Sequence, residues 1–92
     1  MAYQFGKLTV LVVEDNLAMS EITKSLLLAL GIGEVVCATD GESGFKKFQQ
    51  ENPDIILADW MMKPMNGIDF TKRVRNDIAS PNPYIQIGRA HV

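Results

Sequence analysis

Three carboxylates follow two short apolar runs of this sequence, at the points where those runs end. Glu14 and Asp15 come directly after the first run, and Asp59 closes another run farther along the chain. If both runs are neighbouring strands of a parallel sheet, these side chains converge at one edge, since strand axes lie about 4.8 Å apart. Carboxylates that lie close together repel one another, and the pKa of one of them is raised unless a cation neutralises their charge. Mg²⁺, which prefers a few carboxylates together with waters, fits this group.

A helix-capping role competes with metal binding for these acidic residues. Carboxylates often follow strands because they cap the next helix near the positive end of its dipole. For Asp15 the two explanations are equally good on spacing alone. For Asp59 capping is the weaker explanation, because the residues that follow, Trp-Met-Met at 60–62, do not begin a helix.

Predicted strands and helices, which must hold these carboxylates in place, alternate along the chain. Short apolar runs predict strands at residues 8–13, 34–38 and 54–58, and the first residues of a fourth strand at 84–85. Amphipathic segments predict helices at residues 17–30, 41–51 and 67–78. This order predicts an α/β fold, a doubly wound parallel sheet with right-handed crossovers and helices on its faces.

Capping residues and apolar stripes support the predicted helices. Asn16 is a candidate N-cap of the first helix, and Asp40 with Gly41 opens the second. Apolar residues recur at helical spacing in all three: Ala18, Ile22, Leu26, Ala29 and Leu30 in the first, Phe45 and Phe48 on the buried side of the second, and Phe70, Val74 and Ile78 in the third.

The composition excludes several classes of protein. At 92 residues the chain holds at most one domain, and 47% hydrophobic with 22% charged residues is ordinary globular composition. A net charge of −2 offers no basic excess, so we expect no nucleic-acid partner through this segment. The single cysteine, Cys37, fits a cytoplasmic location. The longest apolar run, residues 26–30, is too short to span a membrane, so no membrane partner is expected either.

Three motifs resemble the response-regulator receiver domain (CheY-like, of two-component signalling). They are V-L-V-V-E-D-N at residues 10–16, D-G-E-S-G-F at residues 40–45 and A-D-W-M-M-K-P-M-N-G-I-D-F at residues 58–70. The third motif is highly specific, and the resemblance as a whole covers residues 8–85 in the family's order and spacing. The resemblance implies a flavodoxin-like fold, here incomplete, from the first strand through the third helix plus the start of a fourth strand.

The resemblance also implies a role for each acidic residue. Asp59 would be the phospho-accepting aspartate of a phosphorelay. Glu14 and Asp15 would hold Mg²⁺ together with Asp59, directly or through water, and the backbone carbonyl of Met61 would add a ligand. A sensor histidine kinase or a histidine phosphotransfer protein would donate the phosphoryl group. Such a domain is not an enzyme, because its phosphoryl transfer is stoichiometric.

The chain departs from the family pattern in three ways. Pro64 stands one place later than in the commonest pattern, which indicates a variant loop. The hydroxyl residue and the lysine that contact the phosphoryl group in complete receivers are missing. Residues 87–92 read Ile-Gly-Arg-Ala-His-Val, which is one translated frame of a common sequencing-library adapter. We therefore expect a partial receiver domain at residues 1–86 and a non-native tail at 87–92, with the output domain unknown.

Two other functions compete with phospho-acceptance. One is a receiver-like module that binds a partner protein without competent phosphorylation. The other is a haloacid-dehalogenase-type phosphatase, which also uses an aspartate after a parallel strand but needs a second aspartate two residues later, where this chain has Met61. Labelling at Asp59, turnover of a phosphate ester, or neither would separate the three.

Overall fold

A computed structural model describes residues 5–59, 67–77 and 84–88, with the backbone alone at residues 59, 67–69, 84 and 86–88. Its strands are β1 (Thr9–Val13), β2 (Glu34–Ala38), β3 (Ile55–Asp59) and β4 (Tyr84–Gly88). Its helices are α1 (Leu17–Ala29), α2 (Gly41–Glu51) and α3 (Gly67–Arg75), and a short 3-10 turn, Phe5–Lys7, precedes β1.

The strands form one parallel sheet in the order β2-β1-β3-β4. The chain steps from β1 to β2 in one direction and then to β3 in the other. Right-handed crossovers therefore place α1 on one face of the sheet and α2 and α3 on the opposite face. The α/β, flavodoxin-like prediction is confirmed, and β1 lies between two neighbours as a strand that is buried on both faces.

The main core lies between the sheet and the helices α2 and α3. Alternate residues of β1 and β3 face these helices, as the period of a strand requires. Phe48 of α2 and Phe70 and Val74 of α3 are fully buried there, and Phe45 packs against them. The predicted apolar stripes of α2 and α3 are thus confirmed, except at Ile78, which lies outside the described residues. The cluster consists of Leu11, Val13, Ala38, Phe48, Ile56, Ala58, Phe70 and Val74.

The apolar stripe of α1, unlike those of α2 and α3, is exposed. Ile22, Leu26 and Leu30 are 52%, 61% and 69% exposed, and Ala18 and Ala29 are exposed as well. The helix contacts β1 and β2, and the residues of α1 with lower exposure lie on another side, around Ser20. Because α1 packs mainly against β1 and β2, the flank of the helix that carries the stripe stays uncovered in the described part of the chain. This flank, residues 18, 22, 26, 29 and 30, is called the α1 flank below.

Two boundaries differ from the sequence prediction by more than one residue. The helix α3 ends at Arg75 rather than at residue 78. The strand β4 continues to Gly88, where it pairs with Asp59, so it includes two residues of the expected tail. A parallel ladder uses only backbone N–H and C=O groups, and a segment of any origin can extend it. No helix in the described part of the chain is long and apolar enough to cross a membrane.

The start of α2 is fixed by a reciprocal cap. The Asp40 carboxylate accepts a hydrogen bond from the Ser43 backbone N–H at 2.7 Å, and the Ser43 hydroxyl accepts from the Asp40 N–H at 3.4 Å. The first of these bonds stabilises the charged carboxylate and lowers the pKa of Asp40 below its ordinary value of 3.8. We expect Asp40→Ala to lower the free energy of unfolding by about 1 kcal/mol, measured by urea unfolding at neutral pH.

The pH dependence of this cap has a defined sign. Because the folded-state pKa of Asp40 is lowered, its stabilising contribution is present above 3.8 and is lost as the pH falls through the lowered value. Asp40→Asn is the matched control, since asparagine caps as well as aspartate but does not titrate there. The unfolding midpoint of Asp40→Asn should match that of the unsubstituted chain at neutral pH. In acid it should fall by less than the midpoint of the unsubstituted chain. Equal losses in acid for both proteins would contradict the assignment.

Candidate receiver phosphorylation site

The carboxyl ends of β1 and β3 form the point where the chain changes direction across the sheet. The two strands pair in parallel with Val13 opposite Ala58, and the next residues along them are Glu14 and Asp59. Open α/β sheets bind ligands in the crevice outside such a switch point. The expectation that these two strands are neighbours is confirmed, so Glu14, Asp15 and Asp59 share one edge of the sheet.

Glu14 is held in place by its local backbone. Its N–H donates to the carbonyl oxygen of Ala38 at 2.9 Å, which extends the pairing of β1 with β2 by one residue. Its side chain is 4% exposed, and Oε2 accepts a hydrogen bond from the Asn16 N–H at 3.0 Å. The carboxylate therefore folds over the turn into α1, with one oxygen already engaged.

Asp15 occupies a more open position. The N-cap of α1 is Asn16, whose Oδ1 accepts from the Met19 N–H at 3.0 Å. The capping role that competed for Asp15 on the sequence belongs to its neighbour, as the Asn16 prediction required. The side chain of Asp15 is exposed, so solvent and a hydrated cation have access to it.

Asp59 is the last residue of β3. Its backbone pairs with Gly88 of β4, and β1 lies on the other side of the strand. Its side chain and the whole of Met61 lie outside the described part of the structure, so the convergence of three carboxylates and the carbonyl ligand stay predictions. Among the side chains that are described, no group of three or more His, Cys, Asp or Glu could hold a metal ion; the predicted group needs Asp59 as its third member.

One residue that supports this edge of the sheet is missing from the sequence-based interpretation. Gly44 is buried inside α2, against Val13 and Phe70. A glycine in a helix interior costs about 1 kcal/mol relative to alanine, so its presence signals a packing requirement. The D-G-E-S-G-F motif contains this glycine, but the sequence alone does not say which strand it approaches.

Comparison with known proteins gives the family. A family model for the response regulator receiver domain matches residues 10–90. The chain is 42% identical over 65 residues to the uncharacterized transcriptional regulatory protein YcbL of Bacillus subtilis, a match that covers 71% of this chain and 28% of YcbL. It is 37% identical over 68 residues to the chemotaxis protein CheY1 of Helicobacter pylori, covering 73% of this chain and 55% of CheY1.

A solved structure agrees with these matches. The N-terminal domain of a response regulator receiver protein from Methanoculleus marisnigri superposes with a TM-score of 0.82 at 27% identity, covering 88% of this chain and 65% of that chain. The chain spans only 28% and 55% of the lengths of YcbL and CheY1. The matched residues nevertheless include nearly all of β1 and everything that follows through β4. The chain therefore belongs to the response regulator receiver domain family.

Proposed function

We propose that this receiver domain accepts a phosphoryl group on Asp59, with Mg²⁺ held by Glu14, Asp15, Asp59 and the backbone carbonyl of Met61. The donor is a sensor histidine kinase or a histidine phosphotransfer protein. The observation that carries the proposal is the pairing of β1 with β3, which brings the backbones of the three acidic residues to one switch-point edge.

The chemistry follows from the charges at this edge. A carboxylate oxygen of Asp59 would bond to phosphorus while the phosphorus–nitrogen bond of the phosphohistidine breaks, and the histidine nitrogen would keep the bonding electrons. Bound Mg²⁺ would reduce the repulsion between the two anions and stabilise the charge on the transferring oxygens. The buried carboxylate of Glu14 and the exposed carboxylate of Asp15 would provide the negative charge that retains the cation.

The product explains why such a domain signals and is not an enzyme. An acyl phosphate on Asp59 replaces one negative charge with nearly two and adds strong acceptor oxygens. One phosphoryl group is taken up per domain, and the output is a conformational change or docking to a target in the cytoplasm. The relatives named above are a transcriptional regulatory protein and a chemotaxis protein, so we propose regulation of a target protein without specifying it.

A small phosphodonor tests the proposal directly. The chain is incubated with acetyl phosphate, with and without Mg²⁺, and its intact mass is measured. We expect the mass of one phosphoryl group to be added, and only when Mg²⁺ is present. Release of inorganic phosphate from a phosphate ester, without mass addition, would instead indicate the phosphatase alternative. If neither mass addition nor phosphate release occurs, the alternative of a module that only binds a partner protein is favoured.

Metal binding gives a separate prediction. Asp15→Asn should weaken Mg²⁺ binding about tenfold or more, and it should weaken binding more than Glu14→Gln does. The reason is that Asp15 is exposed, whereas one oxygen of Glu14 already accepts the Asn16 N–H. The affinity is measured by Mg²⁺ titration, following the fluorescence of Trp60, the single tryptophan, or the heat of binding.

The control for this titration is another aspartate. Asp54→Asn changes an exposed aspartate that precedes β3, at the opposite end of the strand from Asp59, and should leave the affinity unchanged. A larger loss with Glu14→Gln than with Asp15→Asn would reverse the assigned order of the two ligands. No fluorescence change and no heat in the folded chain would remove the metal site itself.

A further inference from the structure

The 3-10 turn at Phe5–Lys7, called the strap below, lies against the loop that joins α1 to β2. The Phe5 carbonyl oxygen accepts a hydrogen bond from the Leu8 N–H at 3.1 Å, which closes the 3-10 turn itself. The same oxygen accepts from the Gly33 N–H at 3.0 Å, which ties the strap to the residue just before β2. The family match begins at residue 10, so the strap precedes the matched region.

Two glycines lie against each other in this contact. A Cβ atom placed on Gly33 would lie 2.7 Å from the carbonyl carbon of Gly6 and would overlap the Gly6 oxygen. Nonbonded carbon atoms at optimal separation are about 3.5–4.0 Å apart, and backbone atoms cannot rotate away as the end of a side chain can. A Cβ atom on Gly6 would meet no described atom within 4 Å beyond its chain neighbours. The strap can therefore close only over a glycine at position 33, whereas position 6 has room for a side chain.

The strap contributes no residue to the hydrophobic core. All three of its residues are exposed, including Phe5 at 42%. Release of the strap would break its hydrogen bond with Gly33 but would leave the cluster between the sheet and the helices α2 and α3 intact. Segments that bury little apolar surface open locally at low free energy, without unfolding of the whole domain. The strap has this property.

The strand that the strap secures is at the edge of the sheet. Among the described residues, β2 pairs only with β1, and the Glu34 N–H donates to the Leu8 carbonyl oxygen at 3.2 Å, directly beside the Gly33 bond. We propose that the strap is a conformational device: when closed on Gly33 it fastens the amino end of β2 to β1, and it opens and closes as a local unit while the sheet stays folded. The inference is independent of phosphorylation, since Glu14 follows the opposite end of β1.

The first test uses the unsubstituted chain. Amide hydrogen exchange is followed by NMR at urea concentrations below the unfolding transition. The Gly33 N–H should be protected, and its exchange rate should hardly depend on urea, because opening of the strap exposes little surface. The exchange rates of the β1 and β3 amides should instead rise steeply with urea. An unprotected Gly33 N–H would mean that the strap is not closed, and a urea dependence equal to that of β3 would mean that it opens only when the sheet unfolds; either result overturns the proposal.

The second test compares Gly33→Ala with Gly6→Ala, which add the same methyl group to the two sides of the contact. Gly33→Ala should reduce the protection of the N–H at position 33 about tenfold, because the closed position of the strap is blocked. Gly6→Ala should keep this protection within about twofold. In Gly33→Ala the amide resonances of residues 5–8 should shift, and those of β3 and α3 should not. Equal protection in the two variants, or a Gly33→Ala chain that does not fold or loses protection in β3, would overturn the strap as a local device.

Discussion

Replacing Asp59 by asparagine should abolish phosphorylation of this domain by acetyl phosphate. Asparagine keeps the shape of the side chain but has no anionic oxygen with which to attack phosphorus, and it contributes one charge less to cation binding. Since no other group is proposed to form the acyl phosphate, we expect complete loss rather than a reduced rate. The measurement is intact mass after incubation with acetyl phosphate and Mg²⁺.

The matched control uses the aspartate that precedes the same strand. Asp54 lies beyond the amino end of β3, and its Oδ2 accepts a hydrogen bond from the Thr9 N–H at 2.9 Å. Asp54→Asn retains an acceptor oxygen and should be phosphorylated like the unsubstituted chain. Base-labile mass addition that persists in Asp59→Asn would show that the acceptor is another residue. Loss of phosphorylation in both variants would indicate damage to β3 and not to the site.

The sequence predicts most of this fold because strand burial has a strong local signature. The run that forms β1 is almost continuously apolar, which is typical of a strand covered on both faces, and alternation with helical segments then determines a parallel sheet. Placing Asp59 in a phosphorylation site depends on the family motif around it. Spacing alone shows only that acidic residues gather where strands end.

The remaining features depend on long-range geometry. Periodicity shows that Ile22 and Leu26 share one side of α1, but not that the helix packs mainly against β1 and β2 and leaves this side exposed. Both Asp15 and Asn16 are good capping residues, and the choice between them is made by the backbone path out of β1. The close approach of α2 to β1 likewise requires knowing which strand Gly44 meets.

Leu11→Ala should produce the largest loss of stability among these predictions. Leu11 is 0% exposed in the central strand, where it pairs in register with Val36 and Ile56. Removing a buried leucine side chain costs about 2–5 kcal/mol, because transfer free energy is lost and a cavity remains. Small domains have only about 5–15 kcal/mol in total, so a loss of this size brings the chain close to unfolding. The urea midpoint should fall sharply with little change in the slope.

The same substitution on the α1 flank provides the comparison. Leu26 is 61% exposed, and alanine is the better helix former, so Leu26→Ala should change the free energy of unfolding by less than about 0.5 kcal/mol. Because both variants lose the same atoms, most of the difference between them reflects burial, and the higher helix propensity of alanine at Leu26 contributes a smaller part. If Leu26→Ala lowers the free energy of unfolding as much as Leu11→Ala does, and this loss becomes smaller when the protein is diluted, another copy of the chain covers the α1 flank in solution. A loss that is independent of concentration would mean instead that α1 packs more deeply against the sheet, because only buried surface can account for a cost of that size.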